Sequence, residues 1–306
     1  MKEPAMARRF VTLDVFTAEP LAGNPLAVVL DAEGLDTARM QAIAREFNLS
    51  ETVFVLPPEN DRHRAALRIF TPGRELPFAG HPTVGTAVLL ALRDGQGGPD
   101  AVAFGLEEKV GVVPCVVETR GQARGYARFR VPRLAEIWGE GRDVAVSAAA
   151  LGLDAGEIGF DRHMPSRHSA GVPFDFVPVA SLDVIARARP AGDAFRQAFG
   201  DSGPPAPYVY TRQTAAAGAR FRARMFAPSF GIAEDPATGA AAAAFAGVLT
   251  QFEPLGDGEH SFLIEQGYEM GRPSDIALQI VIRDGALASA EIGGSAVLVS
   301  EGTLAL

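Results

Sequence analysis

The feature that most restricts the fold of this chain is that it repeats itself. Arg68-Ile69-Phe70-Thr71-Pro72 is matched by Arg224-Met225-Phe226-Ala227-Pro228. His81-Pro82-Thr83-Val84-Gly85-Thr86-Ala87 is matched by Asp235-Pro236-Ala237-Thr238-Gly239-Ala240-Ala241. Gly-x-Pro turns at Pro25 and Pro173 extend the series. The three offsets are 156, 154 and 148 residues, which agree within a loop's length and lie near half of 306. Ordered matches at one spacing imply two halves of like topology.

Local patterning makes each half α+β. Residues 9–16 alternate, with Val11, Leu13 and Val15 on one side and Phe10, Thr12 and Asp14 on the other, as a strand requires. Gly23-Asn24-Pro25 turns into an apolar strand over 26–30. Asp36 is an N-cap for a helix with Met40, Ile43, Ala44 and Phe47 on one stripe, ending near Asn48. Residues 51–56 and 65–70 read as strands, and 81–93 as a helix with Pro82 in its first turn. Strands and glycine-rich turns follow to about Val131. The second half gives a strand at 174–179, helical spacing over 181–199, and strands at 208–211 and 219–226. Asp235-Pro236 opens a helix to about Thr250, and a β-meander turning at Asp284-Gly285 closes the chain. The expected fold is α+β: two pseudo-symmetric lobes, each a β-sheet with a central helix. The N-terminal lobe is 1–124, completed by a terminal strand over 290–306, and the C-terminal lobe is 125–289.

Composition removes several classes of function. A net charge of −9 is opposite to a nucleic-acid footprint, and no Lys/Arg cluster suits an anionic membrane. The apolar runs 83–92 and 240–249 fall short of the roughly 20 residues that span a bilayer. A single cysteine, Cys115, forbids an intramolecular disulfide and a two-thiol mechanism. Its apolar surroundings read as core, and the expected compartment is the cytoplasm. Of the two lysines, Lys2 is terminal and Lys109 lies in a charged Glu-Glu-Lys turn, so neither suits a Schiff base. There is no P-loop or dinucleotide fingerprint; the glycines at 95, 97 and 98 read as a loop tip. His63, His163, His168 and His260 lack metal-ligand spacing and read as exposed or loop residues, so no metal is expected. Trp138 reads as a packing residue.

Two features carry chemistry. Each repeat places a polar residue and a proline at the start of an apolar helix, where unpaired N–H groups and a partial positive charge attract a carboxylate or phosphate. If the halves face each other across a pseudo-twofold axis, both helix starts serve one cleft. The plainer alternative is an ordinary helix cap at each position. Glu51 follows an amphipathic helix and precedes apolar Val53, Phe54 and Val55. Laid against the core, its carboxylate would have its pKa raised by desolvation and suit proton shuttling. Its plainer alternative is an exposed surface glutamate.

Residues 10–30, 40–58, 68–87, 234–245 and 265–274, containing FVTLDVF, NLSETVFVLPP, FAGHPTVGTA, EDPATG and EQGYEMGRPS, resemble the PhzF-like phenazine-biosynthesis proteins in the family's order. The resemblance implies the diaminopimelate-epimerase-like fold, with a sheet around a central helix in each lobe. It also implies an active site between the lobes, a homodimer and no cofactor. It further implies isomerisation of the trans-2,3-dihydro-3-hydroxyanthranilate type, a proton transfer on a small carboxylate. Glu51 of SET would be the acid/base, with His81 of GHP and Asp235 of EDPATG assisting. Gly80 and Gly239 would bind the carboxylate through backbone N–H groups, with Ala240 and Asn24 in the same substrate-binding set. Ala240 stands where the family often has serine, which removes a side-chain donor. Two alternatives remain: a non-catalytic binding or sensor module for a small carboxylate, and a different isomerase or lyase reaction on the same fold. Pocket walls are expected from loops at 162–169 and 204–207.

Overall fold

The computed structural model describes residues 7–95, 101–200, 206–228 and 232–305. The chain divides into two compact units, residues 1–130 with 293–306, and residues 131–292. The sequence reading places these boundaries at 124/125 and 289/290. The division falls later because residues 124–130 form the hairpin partner of the preceding strand, with Arg120 opposite Arg124 and Cys115 opposite Phe129. Among the described residues, no helix is long and apolar enough to cross a membrane.

The first unit contains β1 (Ala7–Val15), β2 (Asn24–Val29), β3 (Glu51–Leu56), β4 (Ala65–Phe70), β5 (Glu75–Leu76), β6 (Val102–Glu108), β7 (Gly111–Arg120) and β8 (Arg124–Arg130), with helices α1 (Thr37–Phe47) and α2 (Gly80–Arg93). β2 runs parallel to β3, β3 antiparallel to β4, β4 parallel to β6, and β6 antiparallel to β7. α1 starts where Asp36 accepts from the Arg39 N–H and stops at Asn48, whose φ of 51° is left-handed. Its buried stripe, Met40, Ile43 and Ala44, packs on Val29, Phe54 and Phe70. Truncating Met40 to alanine there would cost about 2–5 kcal/mol. α2 is buried from Gly80 to Ala91, as expected of a helix apolar all round. Gly85 lets it approach β1 and β2: a Cβ there would lie 2.7 Å from both Val15 and Leu26 side-chain carbons.

The second unit contains β9 (Glu136–Ile137), β10 (Ser166–Ser169), β11 (Pro173–Pro178), β12 (Ala206–Thr211), β13 (Phe221–Ala227), β14 (Ile232–Asp235), β15 (Gly258–Gln266), β16 (Ser274–Arg283) and the start of β17 (Ala286–Ala305), with helices α3 (Val144–Leu151), α4 (Leu182–Arg187), α5 (Gly192–Phe199) and α6 (Gly239–Phe252). The last residues of β17 belong to the first unit, where they pair antiparallel with β1. β11 runs parallel to β12, β12 antiparallel to β13, β13 parallel to β15, and β15 antiparallel to β16. That is the order of directions in the first unit. α6, like α2, has 14 residues and is almost wholly buried.

The repeat extends to side chains. Arg68 holds Glu75 through two bonds of 2.7 and 2.8 Å, and Arg224 holds Glu234 through two of 2.8 Å. Each guanidinium also lies over the phenylalanine two residues on, 5.1 Å from Phe70 and 4.8 Å from Phe226.

Several expectations are corrected. The helical spacing over 181–199 is two helices, α4 and α5, because Pro190 falls between them and lacks the N–H that continuity needs. α3 went unrecognised: VAVSAAAL has no polar face to mark a period. Residues 166–169, expected in a loop, pair antiparallel with β11. Of the other expected loop, 206–207 begin β12, and 204–205, like glycines 97 and 98 and Lys2, lie outside the described residues.

Candidate active site

In the first unit the site begins where β3 does. Glu51 stands opposite Leu26 of β2, with a side chain 15 % exposed. Thr52, Val53 and Phe54 behind it are fully buried. Asn24, the first residue of β2, is also fully buried and stands opposite Val15. α2 opens from Ala79, which is extended and offers no side-chain cap, so Gly80 and His81 are its first two residues. Their N–H groups have no intrahelical acceptor, and Pro82 has no N–H to offer.

His81 is 4 % exposed. Burial pushes its imidazole down to about 3, so the ring is neutral at physiological pH. Its Nε2 lies 3.5 Å from Glu51 Oε2. That is beyond a good hydrogen bond, and with a neutral ring it is not an ion pair. A neutral imidazole beside a carboxyl group can give or accept a hydrogen bond without adding charge to the site.

In the second unit the corresponding residues are placed differently. Asp235 ends β14 opposite Met225, and α6 begins only at Gly239, with Thr238 as its N-cap. The expectation that Asp235-Pro236 opens the helix is therefore corrected: strand pairing takes Asp235, and Pro236 lies in the connecting turn. The turn is held by Gln266, the last residue of β15, which is fully buried. Gln266 Nε2 donates to the Asp235 carbonyl at 2.8 Å and to Thr238 Oγ1 at 2.9 Å. Its Oε1 accepts from the Thr238 N–H at 3.1 Å and the Tyr208 hydroxyl at 3.2 Å. Thr238 Oγ1 in turn donates to Asp235 Oδ2 at 2.6 Å. Burial pushes the Tyr208 phenol well above its usual range, and the nearby Asp235 adds to this, so it stays a donor. Gly267 has φ 76°, and a Cβ there would lie 2.6 Å from the Pro236 carbonyl. Only glycine lets the strand end meet this turn.

The structure thus brings Glu51 and His81 together in the first unit and places Asp235 beside Thr238, Gly239 and half-buried Ala240 in the second. The model of the PhzC-PhzF family, phenazine biosynthesis-like proteins, matches residues 13–302. The chain belongs to this family. It is 50 % identical to an uncharacterized isomerase of Mesorhizobium japonicum over 97 % of this chain and 98 % of the relative. It is 35 % identical to trans-2,3-dihydro-3-hydroxyanthranilate isomerase of Pseudomonas aeruginosa over 96 % and 98 %. Its fold superposes on a PhzF-family phenazine biosynthesis protein of Bacillus anthracis with a TM-score of 0.86 and 26 % identity, covering 98 % of this chain and all of the other.

This PhzF-family isomerase has other features that patterning misplaced or missed. His163 and His168, expected exposed or in loops, are each 1 % exposed. His163 lies 3.0 Å from the Tyr210 hydroxyl and 2.9 Å from Glu253, partners distant in sequence. Trp138, expected to pack, is 51 % exposed. Cys115 is buried as a small core residue, and burial pushes its thiol far up. A depression of about 400 Å³ is lined by Arg8, Asp31, Glu33, Pro57 and Arg64. It lies at the far end of β3, roughly 15 Å of strand from Glu51. Gln266 and Thr238 were not singled out by sequence; the signals were that both lie in family-like stretches and that Thr238 lies in the repeated segment.

Proposed function

We propose that this isomerase moves a proton between carbons of a small carboxylate substrate, with Glu51 as the acid/base and no cofactor. The observation that carries the reading is the Glu51 carboxyl group 3.5 Å from a neutral, buried His81 at the head of α2. Glu51 takes a proton from a carbon beside an unsaturated system, the electron pair shifts along that system, and the protonated carboxyl returns the proton to another carbon. The reaction is redox-neutral and consumes no co-reactant. His81 relays or tunes the transfer, and Asp235, held by Thr238, assists. The N–H groups at Gly80, Gly239 and Ala240 bind the substrate carboxylate, with Asn24 in the binding set. Ala240 contributes only its N–H, which leaves room for a substrate other than the relatives'. The same reading makes the enzyme a cytoplasmic homodimer, which light scattering at twice the chain mass would support.

The 35 % relative names the first compound to try. Purified protein is incubated with trans-2,3-dihydro-3-hydroxyanthranilate in deuterated water and followed by NMR. The expected result is a rearranged product, with the migrating hydrogen either retained or replaced by deuterium. Saturable binding of this or related small carboxylates with neither change would show a binding module instead.

A further inference from the structure

One buried carboxyl group of the first unit has no part in that scheme. Glu108 ends β6, is 8 % exposed, and its Oε2 has no hydrogen-bond partner among the described residues. Its Oε1 lies 2.7 Å from Thr83 Oγ1 in the first turn of α2. The same hydroxyl lies 2.8 Å from the Ala79 carbonyl. A threonine hydroxyl has one hydrogen, and a carbonyl can only accept. Thr83 satisfies Ala79, so the short contact with Glu108 needs its hydrogen from the carboxyl side. Burial pushes Glu108 up to about 8, which leaves that hydrogen in place at neutral pH.

Register shows what Glu108 corresponds to. In the first unit Ala66 stands opposite Glu107, and in the second Arg222 stands opposite Glu265. Ala66 and Arg222 are 156 residues apart, as are Arg68 and Arg224. Glu107 therefore corresponds to Glu265, and Glu108 to Gln266. The first correspondence is also chemical. Glu107 accepts from the N–H groups of Glu59 and Asn60, and Glu265 from those of Ala215 and Ala216, again 156 residues on. Glu108 thus occupies the place from which Gln266 holds Thr238.

We propose that Glu108 is a positioning residue for the head of α2, the counterpart of Gln266, and that it works as a neutral acid donating a hydrogen bond to Thr83. Ionised, it can only accept. Thr83 then turns its hydroxyl to the carboxylate and leaves the Ala79 carbonyl only the Thr83 N–H at 3.2 Å, which loosens the turn carrying Gly80 and His81. The titratable groups around it do not supply the missing hydrogen. The Cys115 thiol of β7 donates instead to the Val113 carbonyl at 3.6 Å, Lys109 is held by Glu75 at 2.7 Å, and the Nε2 of neutral His81 makes no hydrogen bond to Glu108.

The effect on turnover rests on the proposed function; the protonation state does not, and the test separates them. Glutamate labelled at the δ carbon with ¹³C is followed by NMR from pH 5 to 10, and Glu108→Gln assigns the resonance by removing it. A carboxyl signal still protonated at pH 7 and titrating near 8 is expected; titration below pH 6 overturns the proposal. If Glu108→Gln does not fold, Thr83→Val keeps the carboxyl group and removes its partner. The titration must then shift, because both protonation states lose the Thr83 hydroxyl, and an unmoved signal is equally contrary. In the second arm, wild-type KM rises above pH 8 while kcat holds, and Glu108→Gln carries that limb up by at least one pH unit. An unmoved limb refutes the positioning role. A wild-type protein without turnover refutes the function reading and leaves the NMR arm to decide the protonation state.

Discussion

The heads of α2 and α6 sit on the same repeated scaffold and are finished with different chemistry. At the first, Glu51 and His81 stand 3.5 Å apart, and Glu108 meets Thr83 in the first turn of the helix. At the second, Asp235 is tied into an amide network whose centre, Gln266, uses both its donors and its oxygen. Duplication therefore preserved the elements that set the geometry, namely the arginine–glutamate forks, the strand directions and the loop-holding Glu107 and Glu265. It left the side chains at the two helix starts to diverge. The first head can change its protonation; the second holds its geometry.

The comparison is broken most strongly at the loop-holding carboxylates. Glu265 is fully buried against Arg222 at 2.8 Å, whereas the Glu107 side chain is 15 % exposed. Glu265→Ala should cost about 3–5 kcal/mol by leaving a buried guanidinium with Glu269, at 3.1 Å, as its remaining carboxylate and by freeing the N–H groups of Ala215 and Ala216. Glu107→Ala should cost about 1–2 kcal/mol in the same urea titration. Equal losses would mean that the difference in burial between the two sites carries no energetic weight.

Next come the glycines. Gly267→Ala meets backbone oxygens at 2.4 and 2.6 Å and has a positive φ, so about 3 kcal/mol and a large loss of activity are expected. Gly85→Ala meets only side-chain carbons at 2.7 Å and should cost about 1–2 kcal/mol by overpacking. Thermal unfolding of both variants ranks them.

An effect of similar size to that of Gly85→Ala sharpens the contrast through pH. His81 has a folded pKa of about 3, below its unfolded value, so the unfolded chain takes up the proton first. Its contribution is intact above about pH 6.5 and is lost progressively as pH falls toward 3. By pH 5 this amounts to roughly 2 kcal/mol. His81→Asn should flatten that part of the stability curve; an unchanged slope would mean that the ring is not buried neutral.

How much of this was legible in the sequence follows from where the partners lie. α1 was readable because Asp36, its stripe and Asn48 are local signals, and Glu51 was found because strand periodicity begins at it. The repeat gave the topology before any coordinates. By contrast, Pro236 is compatible with a helix start, and only pairing with β13, ten residues back, shows that Asp235 ends a strand. Gln266 reaches partners 28, 31 and 58 residues away, and Thr83 meets Glu108 across 25. In the sequence Glu108 reads as part of a charged turn; its burial is a property of the packed unit.

The most direct test of the account is turnover by Glu51→Gln, which keeps the shape of the side chain and removes the base. On a small carboxylate that the wild type converts, kcat should fall by about 10²–10⁴, with the urea midpoint and circular dichroism preserved. A folded Glu51→Gln protein that retains kcat within about tenfold of wild type would contradict the assignment of the proton transfer to this residue.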